Sequence, residues 1–279
     1  RLNSLQTYMR YFFFTLTFVL LCSASHAQNL LMYGGARSQA MSDASVTFSD
    51  VFASFNNQAA LAYLTKSEAG IAVNTRFAVK EMNTLYAAFA LPLSENRGVF
   101  GVNVSRYGYS LYNQNKVGLS YSRQLSKVFS AGIQFDYLNT HLADGYGSRS
   151  SFTVEGGVLA TFDKLKAGVH FFNPLNVKLA DYDDERMPIM VKAGVSYAVS
   201  EKVIAAAEVF KNINNKGIVK AGVEYHPVKA LYVRGGVSSE PIQFTFGIGA
   251  AFGDFHFDIS SGYMQPLGYS PAGSLRYTF

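Results

Sequence analysis

Apolar and polar residues alternate along most of this chain, from Ser67 to the C-terminus. In the segment KAGVEY (220–225), lysine, glycine and glutamate fall on one side and the apolar residues between them fall on the other. The segments KVGLSYS (116–122), VKAGVSY (191–197) and FHFDISSGY (255–263) repeat this pattern. Because successive side chains of a β-strand point to opposite faces, the alternation predicts strands with one apolar and one polar face.

Each alternating segment has about the 9–11 residues that a tilted strand needs to cross a bilayer. Single-chain bacterial barrels have an even number of such strands. We therefore predict an all-β protein, a 14-stranded antiparallel transmembrane β-barrel with a short N-terminal plug segment. The predicted strands are 67–77, 82–93, 98–107, 113–124, 128–138, 149–162, 164–172, 187–198, 202–211, 217–226, 229–238, 241–252, 254–264 and 272–279.

The connections between these strands alternate in length. The even connections are short (SENR, SK, FD, SEK, PVK and GD), whereas most odd connections are longer, above all 139–148 and 173–186. The odd connection SSEP is a short exception. In outer-membrane barrels short turns face the periplasm and long loops face outward, so both chain ends are expected on the periplasmic side.

The N-terminal segment has the features of a secretory signal. Arg10 precedes an apolar run over 11–21, and the small residues of SHA precede Gln28. The run is shorter than the roughly 20 residues of a transmembrane helix. A lipid attachment site at Cys22 is the alternative, although Leu21 stands where a small residue is expected. We predict a cleaved signal peptide with its upstream residues (1–27), a periplasmic plug segment (28–66) and the barrel (67–279).

The composition argues against several other functions. The formal net charge of +5 becomes +3 without Arg1 and Arg10 of the predicted signal, which is too small to indicate a nucleic-acid partner. The chain has a single cysteine, in the predicted signal, and its histidines are scattered, so we expect neither an enzyme nor a metal or cofactor site. The acidic cluster DYDDERM (181–187) is expected to be a solvated outer loop, with calcium binding or bridging to lipopolysaccharide as alternatives.

Charged residues also occur on the polar faces of the predicted strands, where they would point into the lumen. Seven are basic and five are acidic. Because a buried charge without a partner is costly, we expect many of them to pair or to hold a plug, with a charged substrate path as the alternative. They are Arg76, Lys116, Asp136, Glu155, Lys166, Lys192, Glu208, Lys220, Glu224, Arg234, Asp258 and Arg276.

The C-terminus ends in SLRYTF, in which Leu275, Tyr277 and Phe279 share one face. A terminal aromatic residue on an amphipathic last strand resembles the signal that the barrel-assembly machinery reads. The resemblance implies a Gram-negative outer membrane, with its lipids and this machinery as partners.

The segment GARSQAMSDASVTFSDVFASFNNQAALA (35–62) resembles the N-terminal segment of the PorV/PorQ-like branch of the FadL superfamily, which is common in Bacteroidota. Ser42 and Asp43 stand where that pattern usually has glycines, and Gln58 replaces its proline. The resemblance implies a plug folded into the lumen, with Arg37, Asp43 and Asp50 as expected anchors to the wall. The matching residues are Gly35, Ala36, Arg37, Ala40, Met41, Ala44, Asp50, Asn57, Ala59, Leu61 and Ala62.

The resemblance implies two alternative functions. The first is an accessory or structural subunit of a larger outer-membrane complex, in type IX protein secretion or barrel biogenesis, with other outer-membrane proteins as partners. The second is a FadL-like passive transporter of long-chain fatty acids or other small hydrophobic molecules, which in that family pass a lateral opening in the wall. The short, polar outer loops favour the subunit, whereas the stretch LYAAFALPL (85–93) could line an apolar passage.

Overall fold

The computed structural model describes residues 33–143, 147–177 and 186–279. Fourteen antiparallel strands form a closed barrel in which each strand pairs with its sequence neighbours and β1 pairs with β14. The strands are β1 (Glu68–Thr75), β2 (Asn83–Pro92), β3 (Val99–Gly108), β4 (Tyr112–Gln124), β5 (Phe129–Leu142), β6 (Gly147–Thr161), β7 (Leu165–Phe172), β8 (Met190–Ser200), β9 (Val203–Asn212), β10 (Ile218–Val228), β11 (Leu231–Ser239), β12 (Ile242–Phe252), β13 (Phe255–Met264) and β14 (Gly268–Thr278).

The barrel turns its apolar side chains outward and its polar side chains inward. On β3, Phe100, Val102 and Val104 are 42–44% exposed on the outer surface, whereas Asn103 and Ser105 on the inner surface are 1% exposed. Because the sheet is closed, no strand is left as a free edge, as a hydrocarbon environment requires. Within the described ranges, no helix has the length and hydrophobicity that crossing a membrane demands.

We call the end of the barrel where β1 begins and β14 ends the base, and the opposite end the rim. At the base, β8–β9, β10–β11 and β12–β13 are joined through 201–202, 229–230 and 253–254. β7 ends and β8 begins at the rim; of the longest connection, which joins them, the structure describes 173–177 and 186–189, and the acidic residues 181–185 are outside the described part of the chain. The predicted signal segment 1–27 is likewise outside it.

All fourteen predicted strands are present, but some predicted boundaries were wrong. The predicted outer loop 139–148 is largely strand, because β5 extends to Leu142 and its residues pair with β6 as far as Gly147. These rim residues are polar on both faces, so alternation could not reveal them. β14 begins at Gly268 rather than at 272, since the ladder continues through Pro271, opposite Ser261.

The segment before β1 folds into the lumen as a plug. We define the plug as residues 33–64; it contains the short helices α1 (Ala36–Ala40) and α2 (Ala53–Asn56) and a 3-10 helix (Gln58–Tyr63). Helix α1 lies against the inner faces of β11–β14, whereas the 3-10 helix lies against β3–β6. Almost every plug residue from Ala36 to Leu61 is buried. The plug therefore forms the core of the barrel.

Candidate functional site

The candidate site is the contact surface between the plug and the lumen wall. On one side of the lumen a chain of alternating charges binds the plug. The Arg37 guanidinium donates to both carboxylate oxygens of Glu224 at 2.9 Å and to Asp50 Oδ2 at 3.4 Å. Glu224 also accepts from Arg234 Nε at 2.5 Å, and Arg234 Nη1 donates to Asp258 Oδ1 at 2.6 Å. Every charge in this chain therefore has a partner of opposite sign.

Burial and pairing act in opposite directions on Arg37. Burial of the guanidinium lowers its pKa, but the carboxylates of Glu224 and Asp50 more than offset this and raise the pKa above its ordinary value. Arg37 therefore stays charged at any physiological pH. A bidentate pair between this partly buried guanidinium and the buried Glu224 carboxylate has a fixed geometry, so it holds α1 at one position on the wall.

A second anchor holds the middle of the plug. Glu208 Oε2 accepts hydrogen bonds from the backbone N–H groups of Ser45 and Val46, at 3.0 and 2.9 Å. The Tyr33 hydroxyl donates to Glu208 Oε1 at 3.3 Å. The Lys192 and Lys220 ammonium groups lie 4.0 and 3.9 Å from the centroid of the Tyr33 ring. The Glu208 carboxylate thus binds the plug backbone, and the two lysines contact the ring of Tyr33 at the start of the plug.

Asn57 joins the plug to itself and to β6. Its side-chain amide donates to the Val46 carbonyl at 2.8 Å and to the Val158 carbonyl at 3.3 Å, and its Oδ1 accepts from Ala59 N at 3.2 Å. Gly157 provides the space, since a Cβ atom there would clash with Asn57 Oδ1. Asn57 is therefore the cap of the 3-10 helix as well as a contact to the wall.

A further polar network lies on the inner wall from β3 to β7. Lys116 pairs with Glu155 and, at 3.5 Å, with Asp136, while His170 Nε2 contacts Glu155 Oε2 at 3.0 Å. The network reaches the plug where Asn103 Nδ2 donates to the Ser54 carbonyl at 3.0 Å. These charges are paired mainly within the wall, so they fill the lumen rather than bind the plug tightly.

The structure places most of the predicted lumen charges inside the barrel. Glu155, Lys192, Glu208, Lys220, Glu224, Arg234 and Asp258 are buried, and Lys166 is partly buried, with its ammonium 3.4 Å from Ser49 Oγ. The placement of Arg76 on a strand was wrong. β1 ends at Thr75, and Arg76 begins a short 3-10 turn in which Phe77 and Ala78 have positive φ angles, so strand alternation does not apply to it.

The plug residues named from the sequence differ in role. Ala36 and Met41 are buried and Gly35 is partly buried, whereas Arg37, Asp50 and Asn57 contact the wall at Glu224, Arg276 and Val158 respectively. The expectation that Asp43 is an anchor was wrong, because within the described ranges it forms no ion pair. Ser42 and Asp43 have φ angles of 53° and 58°, a left-handed conformation that glycine adopts most easily.

Gln58 does not disrupt the plug. It is the first residue of the 3-10 helix, a position where proline is also favourable because the N–H group needs no helical partner. Its side-chain amide donates to the Ser54 carbonyl at 3.0 Å, and its own carbonyl accepts from Ser122 Oγ at 2.6 Å. The proline of the related pattern is thus replaced without loss of the turn.

The C-terminal residues form an aromatic cluster at the base. The Tyr277 ring lies 4.6 Å from Phe255 and 4.9 Å from Phe279, between ring centroids. The Phe279 ring also lies 6.2 Å from Phe89 of β2, so the cluster joins the last strand to the start of the barrel. Leu275 lies opposite Ile71 of β1.

The side of the plug that faces β1–β3 is mainly apolar; of its residues, the sequence predicted the wall stretch LYAAFALPL (85–93) as an apolar lining but not Phe52 and Phe55. Phe52 and Phe55 are buried, and the Phe55 ring meets the Tyr86 ring edge-to-face at a centroid distance of 5.3 Å. The wall here carries small side chains, including Ala72 and Ala88. The one sequence signal was the predicted strand 82–93, which is apolar on both faces.

Every neighbouring pair of strands has a ladder, and among the described residues the register shifts only at Ala198/Ser200 and at Tyr225/Val228, beside turns at the base. Towards the rim the β6–β7 ladder ends at Glu155 opposite Phe172, and the β1–β14 ladder ends at Asn74 opposite Ala272. Among the described residues, no group of three or more His, Cys, Asp or Glu side chains is arranged to hold a metal ion.

Several solved structures share this fold. Neither a protein-family model nor a curated protein sequence matches the chain. A channel described as the CymD monoaromatic hydrocarbon channel is similar at a TM-score of 0.67 and 15% identity, covering 91% of this chain and 99% of that one. The Ralstonia pickettii toluene transporter TbuX is similar at a TM-score of 0.68 and 13% identity, covering 89% of this chain and 99% of that one. A Pseudomonas aeruginosa FadL homologue is similar at a TM-score of 0.62 and 12% identity, covering 91% of this chain and 99% of that one. At these identities the likeness shows the fold.

Proposed function

We propose that this chain is a Gram-negative outer-membrane channel for small hydrophobic molecules and that its N-terminal plug closes it. The observation that carries the proposal is a plug that fills the lumen yet meets one sector of the wall mainly through apolar side chains. The similar structures described as hydrocarbon or toluene transporters support the same substrate class. The aromatic C-terminus and the predicted signal segment 1–27 support delivery to that membrane.

One observation favours the accessory-subunit alternative. The outer wall at β6–β9 has an apolar groove of about 480 Å³, lined by small residues such as Ala160, Ala167, Ala193 and Ala207. Small side chains allow another membrane protein to approach closely. Co-purification in mild detergent distinguishes the alternatives, because a subunit should elute with a stoichiometric partner and a transporter should elute alone.

The transport proposal is tested in Gram-negative cells that express the chain and lack their own channels of this fold. Uptake of an apolar fluorescent probe, N-phenylnaphthylamine, is measured beside entry of a polar β-lactam that a periplasmic enzyme hydrolyses. We expect faster probe uptake with unchanged β-lactam entry. Heat-modifiable gel mobility confirms equal amounts of folded barrel. Probe uptake equal to that of cells without the chain would refute the proposal.

Deletion of 35–62 tests the role of the plug in the same cells. The plug occupies the lumen, so its removal should admit the polar β-lactam as well as the apolar probe. Unchanged β-lactam entry would mean that side chains of the wall close the lumen by themselves.

A further inference from the structure

The inner wall differs in chemistry around the lumen. The inner faces of β2 and β3 carry no charged side chain in the described structure, whereas β4–β6, β8–β11 and β13 carry buried lysines, arginines and carboxylates. We call the apolar contact of the plug with β2, β3 and the neighbouring part of β1 the apolar seam. Two polar contacts border it: Val51 N donates to Glu68 Oε2 of β1 at 3.0 Å, and Asn103 of β3 donates to the Ser54 carbonyl at 3.0 Å. On the wall it consists of Gly70, Ala72, Tyr86, Ala88, Ala90 and Val99, and on the plug of Val51, Phe52, Phe55 and Leu61.

Two aromatic rings of the plug fill the seam. A Cβ atom added at Gly70 of β1 would lie 3.0 Å from Phe52 Cζ, so that ring tip rests against the wall backbone. On the plug side, Cβ atoms at Gly34 and Gly35 would lie 2.6 Å from Phe55 Cδ2 and 2.8 Å from Phe52 Cδ2. Each ring therefore lies between glycine backbone of the plug and small or aromatic residues of the wall.

The wall cannot close the seam if the rings leave. Ala72, Ala88 and Ala90 end at Cβ, and a core that loses a large side chain relaxes only partly. An apolar cavity of this kind stays dry and accepts a molecule the size of one aromatic ring. Water gains no hydrogen bonds there, so polar solutes remain excluded while apolar ones replace the rings at little cost.

We infer that the apolar seam is the route of the solute and that Phe52 and Phe55 are its gate. The inference rests on the proposed channel function and names the residues that open it. The anchor Arg37–Glu224 binds the plug to β10, and the anchor Val46–Glu208 binds it to β9. Neither strand belongs to the seam. The rings can therefore move from the wall while these anchors keep the plug in the lumen and exclude polar solutes.

The inference is tested with Phe52→Ala, Phe55→Ala and the double variant in the same uptake assay. Phe48→Ala is the matched control, because Phe48 is a buried plug phenylalanine that packs on the charged side, with the Arg37 guanidinium 4.4 Å from its ring centroid. We expect the seam variants to raise probe uptake severalfold without β-lactam entry. Phe48→Ala should leave probe uptake at the wild-type rate.

A cross-link provides a second measurement that does not depend on cavities. In the variant with Phe55→Cys and Tyr86→Cys, a short cleavable thiol cross-linker would hold the plug to the wall. The only natural cysteine lies in the predicted signal segment, so it should not compete for the cross-linker. We expect uptake to stop on cross-linking and to return on cleavage. If the wild type transports but neither set of variants changes uptake, the seam is not the route. If the wild type does not transport, both the function and the gate are refuted.

Discussion

On the side of the barrel formed by β10–β13 the plug meets the wall through paired charges, whereas on the side formed by β1–β3 it meets the wall through aromatic rings and alanines. Both contacts are buried, and both exclude water from the lumen. They differ in what can replace them. The Glu224 carboxylate requires a cation in one geometry, whereas any apolar surface of suitable shape can replace the Phe55 ring.

This difference separates positioning from opening. A buried ion pair is costly to break because each partner is left as an unpaired charge in a poorly solvated site. Apolar contacts are non-directional, so an apolar solute that enters the seam restores most of what the displaced rings lose. A plug that is ionic on one side and apolar on the other can thus open for apolar molecules without leaving the barrel.

The largest effect is expected from Arg37→Ala, which breaks the ionic side. Glu224 keeps Arg234, but Asp50 loses its closest cation and the plug loses its bidentate contact. Arg37 donates three hydrogen bonds to carboxylates, and a hydrogen bond to a charged group contributes about 1.5–3 kcal/mol. Hydrogen–deuterium exchange of the plug amides in the purified barrel should therefore accelerate on the order of a hundredfold or more.

Two controls accompany this variant. Arg37→Lys keeps the charge but loses the planar fork, so its exchange rate should lie between those of wild type and Arg37→Ala. Arg106→Ala removes an exposed arginine of β3 and should leave plug exchange unchanged. If Arg37→Ala exchanges like wild type, the charge chain does not position the plug.

A smaller effect is expected from Gly70→Ala, which alters the apolar side. The new methyl would lie 2.7 Å from Val51 Cγ1 and 3.0 Å from Phe52 Cζ, so the plug must shift. Overpacking of this kind costs about 1–3 kcal/mol. Exchange should accelerate at the amides of 51–55 and stay slow near Arg37.

Gly273→Ala is the matched control. Gly273 lies on β14, next to β1, and a Cβ atom added there would be 4.0 Å from its nearest neighbours, Asp258 O and Val73 Cγ1, neither of which belongs to the plug. It should leave exchange at 51–55 at the wild-type rate. Equal acceleration by both substitutions would mean that the effect comes from the strands rather than from contact with Phe52.

The sequence predicted the strands well because each strand of a barrel has one face towards lipid and one towards the lumen, so apolar and polar residues must alternate along it. The same alternation placed Lys192, Glu208 and Glu224 on the inner face. The alternation failed where residues do not lie between lipid and lumen. These places are the polar rim of β5 and β6, beyond the apolar belt, and the turn at Arg76.

The partners within the lumen could not be predicted in the same way. Arg37 and Glu224 are 187 residues apart, and their contact depends on how the barrel closes and where the plug enters it. The seam left only a weak trace, the run YAAFAL in β2, because inner alanines differ from outer ones only in their surroundings. Periodicity assigns a face to a residue, but it does not identify what lies opposite.

The smallest effect is expected from Lys66→Ala, which tests whether charge without burial can anchor the plug. The Lys66 ammonium lies 3.9 Å from Asp254 Oδ1 and joins the chain just after the plug to the β12–β13 turn, but the side chains are 61% and 57% exposed. Exposed pairs contribute about 0–1 kcal/mol. The exchange rate of the plug amides should therefore change by less than about fivefold, which is the factor that corresponds to 1 kcal/mol. Because water screens this pair, high salt should remove even that contribution while leaving Arg37–Glu224 intact. Acceleration as large as that of Arg37→Ala would show that burial is not what separates an anchor from a surface contact.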